Sequence, residues 1–533
     1  MRGTPPHKNP LKPGPRANGS RRAMASMVLA LAGWLAGCAA LDGARPPGPS
    51  AASPAARECA LWLAQLDAAI DSAHVRDGGA HRMAGFPFVR VDRFLASFRD
   101  EALASDAAFA AWGARLMALD AAARVAELGN LPADEPTPEA LETHDAALAR
   151  AAQCANLLWA DVAARPEARQ ALAARAVVPD DYATWQRAAG LYALTRVPFF
   201  AGVQAWQAGL RDTFDRLAPR APGAPGAGAW QRYAPAYPAM APGPLTALAQ
   251  AMPRDALGIP VPTREAAAAL LQAYAPVLEV ARAGSGGVAP FDRFGTLRWG
   301  AGDAPEVATQ HPVAYQRIAY TRMGAQTLVQ LVYSYWFPER PAAGAIDLLS
   351  GPLDAVVLRI TLAPDGTPLL LDTIHACGCY HLFVPTPALA PRPAPEARVE
   401  WAFVPTTLPA LAPGQRLRVR VASGTHYVVG VAPHTEGAAG GQPGGDAADG
   451  VTPYALADDH ALRTLPTPQG GTRSAFWPSG IVPGTARGER VLFWPMGIES
   501  PGAMRQWGRQ PTAFVGRRHF DDARLLDDRF KLR

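Results

Sequence analysis

The densest group of reactive side chains in the sequence is Ile374-His375-Ala376-Cys377-Gly378-Cys379-Tyr380-His381. Two imidazoles and two thiols in so short a run are donor types that zinc or copper accepts. Spacing sets a condition on that chemistry. On an extended strand His375, Cys377, Cys379 and His381 share one face but spread over ~20 Å at ~3.3 Å per residue, too far for one ion. A tetrahedral site over all four therefore needs a turn, and Gly378 is the residue that permits one. Without the turn, further ligands must come from elsewhere, such as His426 or His519. Other readings of the same residues stay open. Cys377 and Cys379 suit a role as reduced, buried, small apolar groups. They suit a strained and easily reduced disulfide. Cys377 also suits a nucleophile with His375 or His381 as its base.

The elements that must position these residues follow from periodicity. Val329, Leu331, Tyr333, Tyr335 and Phe337 alternate with Gln330, Val332, Ser334 and Trp336, which predicts a strand with one strongly apolar face. Val356, Leu358, Ile360 and Leu362 alternate again, and Asp365-Gly366 ends the run with a hairpin signal. Arg416, Arg418 and Arg420 alternate with Leu417, Val419 and Val421, the pattern of an edge strand with a solvated outer face. Upstream the period is helical. Cys59, Trp62, Leu63, Leu66 and Ile70 form an amphipathic stripe, and Thr137-Pro138-Glu139 places a cap, an N1 proline and an early acid before a helix ending near Ala164. Helices are also expected at about 106–129, 180–216 and 263–282. The apolar stretch 188–206 carries Arg196 and Pro198, which favours a kinked core helix over a lipid-facing one.

The fold class expected is therefore α+β, a mostly helical domain followed by a β-rich, mainly antiparallel domain. The division reads as a helical domain at 57–216, a Pro/Gly-rich linker with a helix at 217–289, and a β-rich domain at 290–533 with a flexible insertion at 434–450. Cys59 and Cys154 fall on two helices of the first domain, facing a shared interface, so a disulfide between them is expected in an oxidising compartment.

That compartment is read from the N-terminus. Residues 1–22 are basic, 23–37 are apolar but too short to span a bilayer, and 39–56 are small and Pro-rich. Leu35-Ala36-Gly37-Cys38 resembles the lipobox of bacterial lipoproteins. The resemblance implies removal of 1–37 as a signal peptide and acylation of Cys38, which opens a lipidated tether at 38–56. Ala39 in place of Asp implies the outer membrane, with the lipid-anchored protein facing the periplasm. Three acyl chains at ~0.8 kcal/mol per buried methylene would hold firmly. Without residues 1–37 the chain carries 45 basic against 46 acidic residues and a single lysine, Lys531, so no overall field attracts nucleic acid.

The segments QLVYSYWFPERP at 330–341 and IHACGCYHLFVP at 374–385 resemble stretches of a group of uncharacterised proteobacterial envelope proteins. The resemblance implies that the two segments belong to one domain and implies no activity. The sequence lacks a Gly-x-Ser-x-Gly elbow, a His-Glu-x-x-His pair, a Cys-x-x-Cys pair and a phosphate-binding loop. With Trp336, Trp401, Trp477, Trp494 and Trp507 in the β-rich part, the expected function is a non-enzymatic envelope binding or structural protein, with a protein or glycan partner. The alternative is a metal-binding protein or metal-dependent hydrolase using zinc or copper at His375, Cys377, Cys379 and His381.

Overall fold

The computed structural model describes residues 53–132, 143–218, 230–282, 287–434 and 450–533. The signal segment 1–37, Cys38, the tether as far as residue 52, the Thr137-Pro138-Glu139 cap and residues 435–449 of the insertion lie outside the described residues.

Helix α1 (Pro54–Ser72) opens on Ser53, whose hydroxyl oxygen accepts the Ala56 N–H at 3.1 Å. The helix thus takes in residues 54–56, which composition had assigned to the tether; a serine cap followed by proline at N1 outweighs their small size. Its stripe of Trp62, Leu63, Leu66 and Ile70 is buried as the spacing requires. It packs with α2 (Asp106–Gly129), α3 (His144–Ala163) and α4 (Pro166–Arg175) around a core that includes Phe109, Trp112, Leu116, Leu158 and Leu172. Cys59 on α1 and Cys154 on α3 form the expected disulfide. A hairpin of His81–Met83 and Phe86–Val91 also sits in this part. Its Arg90 is fully buried between Glu127 at 2.7 Å and Asp120 at 3.1 Å, a charge whose desolvation is tolerable only because both carboxylates reach it.

The region expected at 180–216 divides at Gly190 and Leu191 into a short helix, Thr184–Ala189, and α5 (Tyr192–Leu217), with Leu191 in the left-handed region at φ +49°. Helix α5 is not the core helix its composition suggested. Only Leu210 and Phe214 are buried, while Leu194 is 69% exposed. No described helix is long and apolar enough to cross a membrane.

The stretch expected as a linker contributes instead to the central sheet. Strand β1 (Trp230–Pro235) precedes α6 (Arg264–Ala273), and β2 (Val277–Ala281) follows it. The single helix expected over 263–282 stops at Ala273 because Pro276 has no N–H to continue it. The remaining strands are β3 (Val313–Met323), β4 (Gln326–Arg340), β5 (Gly351–Leu362), β6 (Pro368–His375), β7 (Leu382–Pro385), β8 (Leu417–Val421), β9 (Val428–Pro433) and β10 (Thr452–Asp458). They assemble as one sheet in the order β7-β6-β5-β4-β3-β10-β1-β2-β8-β9. Most neighbours are antiparallel; β10 runs parallel to β3 and β1, and β8 runs parallel to β2. The class is α+β.

Both faces of the sheet are covered at β4 and β5, so β4 is buried on two sides rather than one. Leu331, Tyr333, Tyr335 and Phe337 enter the larger core with Val356, Leu358 and Ile360 of β5. Val332 and Trp336 enter a second core with Ala355, Val357 and Phe520. The arginines of β8 are likewise not a solvated edge, because β9 covers that side. Arg420 and Arg418 approach Glu279 of β2 at 2.9 and 3.7 Å, and Arg416 donates to the Ala273 and Tyr237 carbonyls.

The helices are fused to the sheet rather than strung beside it. Arg93 meets Asp521 at 3.1 Å, the Asn130 amide donates to the Arg463 carbonyl at 2.7 Å, and Arg322 pairs with Glu101. The described residues form one compact unit.

Candidate functional site

The turn expected at Gly378 joins β6 to β7. The His375 N–H donates to the Cys379 carbonyl at 3.0 Å and the Gly378 N–H to the His375 carbonyl at 2.8 Å. Gly378 has φ +92°, and a Cβ there would lie 2.2 Å from the Pro511 carbonyl oxygen. Only glycine meets both demands. Tyr380 is also left-handed, at φ +62°.

Beyond the turn the four candidate ligands separate. His375 lies on the face of β6 that meets the larger core, and its Nδ1–H donates to Asp354 Oδ1 of β5 at 3.1 Å. His381 belongs to the other face, where its Nε2–H donates to Asp372 Oδ2 at 3.1 Å. Strand alternation enforces the division. Asp354 shares a face with Val356 and Leu358, whereas Asp372 shares one with Ile374 of the second core. Among the described residues, no three His, Cys, Asp or Glu side chains are grouped so as to hold a metal ion. The site expected over His375, Cys377, Cys379 and His381 is not assembled, because the turn delivers its two histidines to opposite sides of a sheet.

Each histidine is instead part of a buried charge relay. Asp354 Oδ2 accepts His426 Nδ1–H at 2.9 Å, and His426 Nε2 lies 3.3 Å from Asp292 Oδ1. Asp292 also accepts the Ser423 hydroxyl at 2.6 Å and the Gly424 N–H at 2.7 Å. The Phe337 ring stacks on His426 at 4.0 Å, and His426 itself is left-handed at φ +52°. Burial alone would raise the Asp354 pKa, yet the two histidines hold it well below the usual carboxylate range. Burial opposes a charge on His426, but its hydrogen bonds to the Asp292 and Asp354 carboxylates prevail and raise its pKa. On the opposite face Asp372 is clamped by Arg359 at 3.0 and 2.5 Å. There burial wins over Asp372 and pushes His381 down to about 3, so His381 is neutral. With Nε2 as donor, its Nδ1 is an acceptor that finds no partner among the described residues.

His381, Cys377 and Cys379 line a cavity of about 480 Å³ that α5 roofs with Pro198, Phe199, Val203 and Trp206. Its polar groups are few. Burial pushes the Glu489 carboxyl up to about 7. Glu400 is raised by burial although it accepts the Phe514 and Val515 N–H groups at 2.7 and 2.8 Å. Both carboxyls line the cavity, with Tyr427 and Arg518. The roof explains the exposed half of α5: its inner side faces the cavity and its outer side is left without cover. The Phe199 ring meets Phe493 at 5.2 Å, and Leu194 on α5 and Val491 and Leu492, which precede Phe493 in the chain, are exposed. His375 stays behind the cavity wall, under Tyr380 at 4.9 Å.

His426, named as a distant metal ligand, joins His375 through Asp354 instead; His519 pairs with Asp181 at 3.4 Å in a separate cluster. Asp354, Asp372 and Asp292 escaped the sequence reading. A signal existed for the first two, each a lone carboxylate inside an apolar strand, which burial forces to find a partner. Nothing marked α5 as a roof. No protein-family model, curated protein or solved structure matches this chain.

Proposed function

We propose that the protein is an outer-membrane lipoprotein, anchored through acyl chains on Cys38, that binds an apolar molecule with a hydrogen-bond-donating head in the cavity beneath α5. The cavity carries this reading. Its volume of about 480 Å³ is in the range of small-molecule sites, its walls are largely apolar, and its polar groups are concentrated in a few side chains. The Glu400 and Glu489 carboxyls and the Tyr427 hydroxyl on its wall suit a hydroxyl or a protonated carboxyl. Exposed Leu194 on the roof helix and exposed Val491 and Leu492 next to the cavity residue Phe493 support entry from an apolar surface. A metal-binding protein or metal-dependent hydrolase has less support, since the histidines it needs are committed to Asp354 and Asp372 on opposite sheet faces.

Trp206 in the roof provides the test. A long-chain alcohol brominated along its chain should quench the protein's fluorescence saturably, and Trp206→Phe should lose most of that quenching. Filling the roof with Val203→Trp should weaken binding about tenfold, or ~1.4 kcal/mol. Absence of saturable quenching in the wild type would refute the binding reading.

The anchor is tested separately. Cys38→Ser should abolish membrane attachment and leave soluble or unprocessed protein. A variant that still fractionates with membranes, with no mass difference from lost acyl chains, would remove the lipoprotein assignment.

A further inference from the structure

The chemistry on the cavity wall that ligand binding does not use is the thiol pair. Cys377 and Cys379 are both free, both line the cavity, and stand on either side of left-handed Gly378. The turn presents them as a unit. The Cys379 N–H donates to Cys377 Sγ at 3.4 Å, and the turn is closed by the His375 N–H on the Cys379 carbonyl at 3.0 Å. The buried Arg505 backbone N–H holds the Ala376 carbonyl at 3.1 Å, fixing the turn's near side. We propose that Cys377 and Cys379 form a thiol–disulfide exchange site, reached through the cavity, whose substrate is a small organic disulfide.

The order of events follows from the two sulfurs' surroundings. A hydrogen bond to Cys377, and then burial, push the Cys379 thiol well above its ordinary value, so Cys379 keeps its proton and donates toward Cys377. The Cys379 N–H points at Cys377 Sγ at 3.4 Å, and this backbone donor makes Cys377 the attacking sulfur. The Cys377 thiolate attacks one sulfur of R–S–S–R. That S–S bond breaks, the Cys377–S–S–R bond forms, and the leaving RS⁻ takes up the proton Cys377 lost. Cys379 then attacks the Cys377 sulfur, the Cys377–Cys379 bond forms, and the second RS⁻ leaves with the Cys379 proton. The protein loses two electrons and two protons, and R–S–S–R becomes two RSH. A disulfide closed across one residue is strained and readily reduced, which suits exchange rather than a permanent link.

The experiment uses the full chain with Cys38→Ser, so that Cys377 and Cys379 supply the free thiols. Excess hydroxyethyl disulfide, a probe small enough for the cavity, should remove both alkylatable thiols and reduce the mass by two hydrogens. A small reductant should restore them, with the Cys59–Cys154 link unchanged throughout. Cys379→Ser should stop at one mixed disulfide on Cys377, and Cys377→Ser should form none. Wild-type thiols that remain alkylatable in the folded protein but oxidise after unfolding would overturn the proposal. So would an adduct on Cys379 in Cys377→Ser with none on Cys377 in Cys379→Ser. The exchange uses the cavity as a route and does not depend on the apolar ligand. Failed exchange leaves the quenching result standing, and failed quenching leaves the exchange standing.

Discussion

Asp354→Ala should lower the stability of the fold by about 3–5 kcal/mol, the range for removing one partner from a buried charged group. Asp354 is 1% exposed and is the carboxylate to which both His375 and His426 donate. Removing it leaves His375 without its hydrogen-bonded carboxylate and His426 with Asp292 alone. A denaturant midpoint measured beside Asp303→Ala, a change on an exposed turn expected to stay within about 0.5 kcal/mol, isolates the effect. A loss below about 1 kcal/mol would show that the relay contributes little. The pH dependence tests the same group by sign. Asp354 has a lowered pKa, so its contribution is present above the ordinary 3.8 and is lost as pH falls through the lowered value. His426 has a raised pKa, so its contribution is complete below the ordinary 6.5 and is lost as pH rises through the raised value. The relay therefore stabilises most between about 4 and 6.5. Asp354→Asn, which keeps the shape but not the charge, should flatten the fall in stability on the alkaline side. An unchanged profile would mean that His426 does not titrate against Asp354.

Replacing Cys59 and Cys154 together by alanine should cost a similar amount. The bond joins α1 to α3 across a sequence separation of 95 residues, for which chain entropy predicts ~4–5 kcal/mol. Both residues belong to the helical core, so the double replacement also avoids leaving a reactive buried thiol. The expected results are a lower denaturant midpoint for the double variant and a matching drop when the wild type is reduced. Non-reducing peptide maps should show the 59–154 link in wild-type protein made in an oxidising compartment. Equal midpoints for the two proteins would refute the predicted contribution. The helical core supplies the apolar burial, and the bond removes freedom from the unfolded chain.

The sequence by itself determined the features that depend on short-range periodicity and local backbone chemistry. The stripe from Trp62 to Ile70 and the span of α2 are there as spaced. So are the alternation of β4 and β5, the turn at Gly378, and the pairing of Cys59 with Cys154. Each is settled within one or two turns of chain, or, for the disulfide, by two matching helix faces. Tertiary structure alone decided the rest. Two strands in the Pro-rich stretch 217–289 gained their place by pairing with β10 and β8, because a short strand draws its stability from its neighbours. Asp354 and His426 stand 72 residues apart, and no local pattern could have joined them. Helix α5 reads as core from composition, yet it became a roof because the 377–381 turn and the loops at 489–518 leave a cavity unfilled against it. The outcome at residues 375–381 shows the difference most directly. Residue types named soft ligands, and spacing called for a turn at Gly378, which formed. Which face each histidine then took depended on the register of β6 against β5 on one side and against β7 across the turn on the other, which puts His375 on Asp354 and His381 on Asp372.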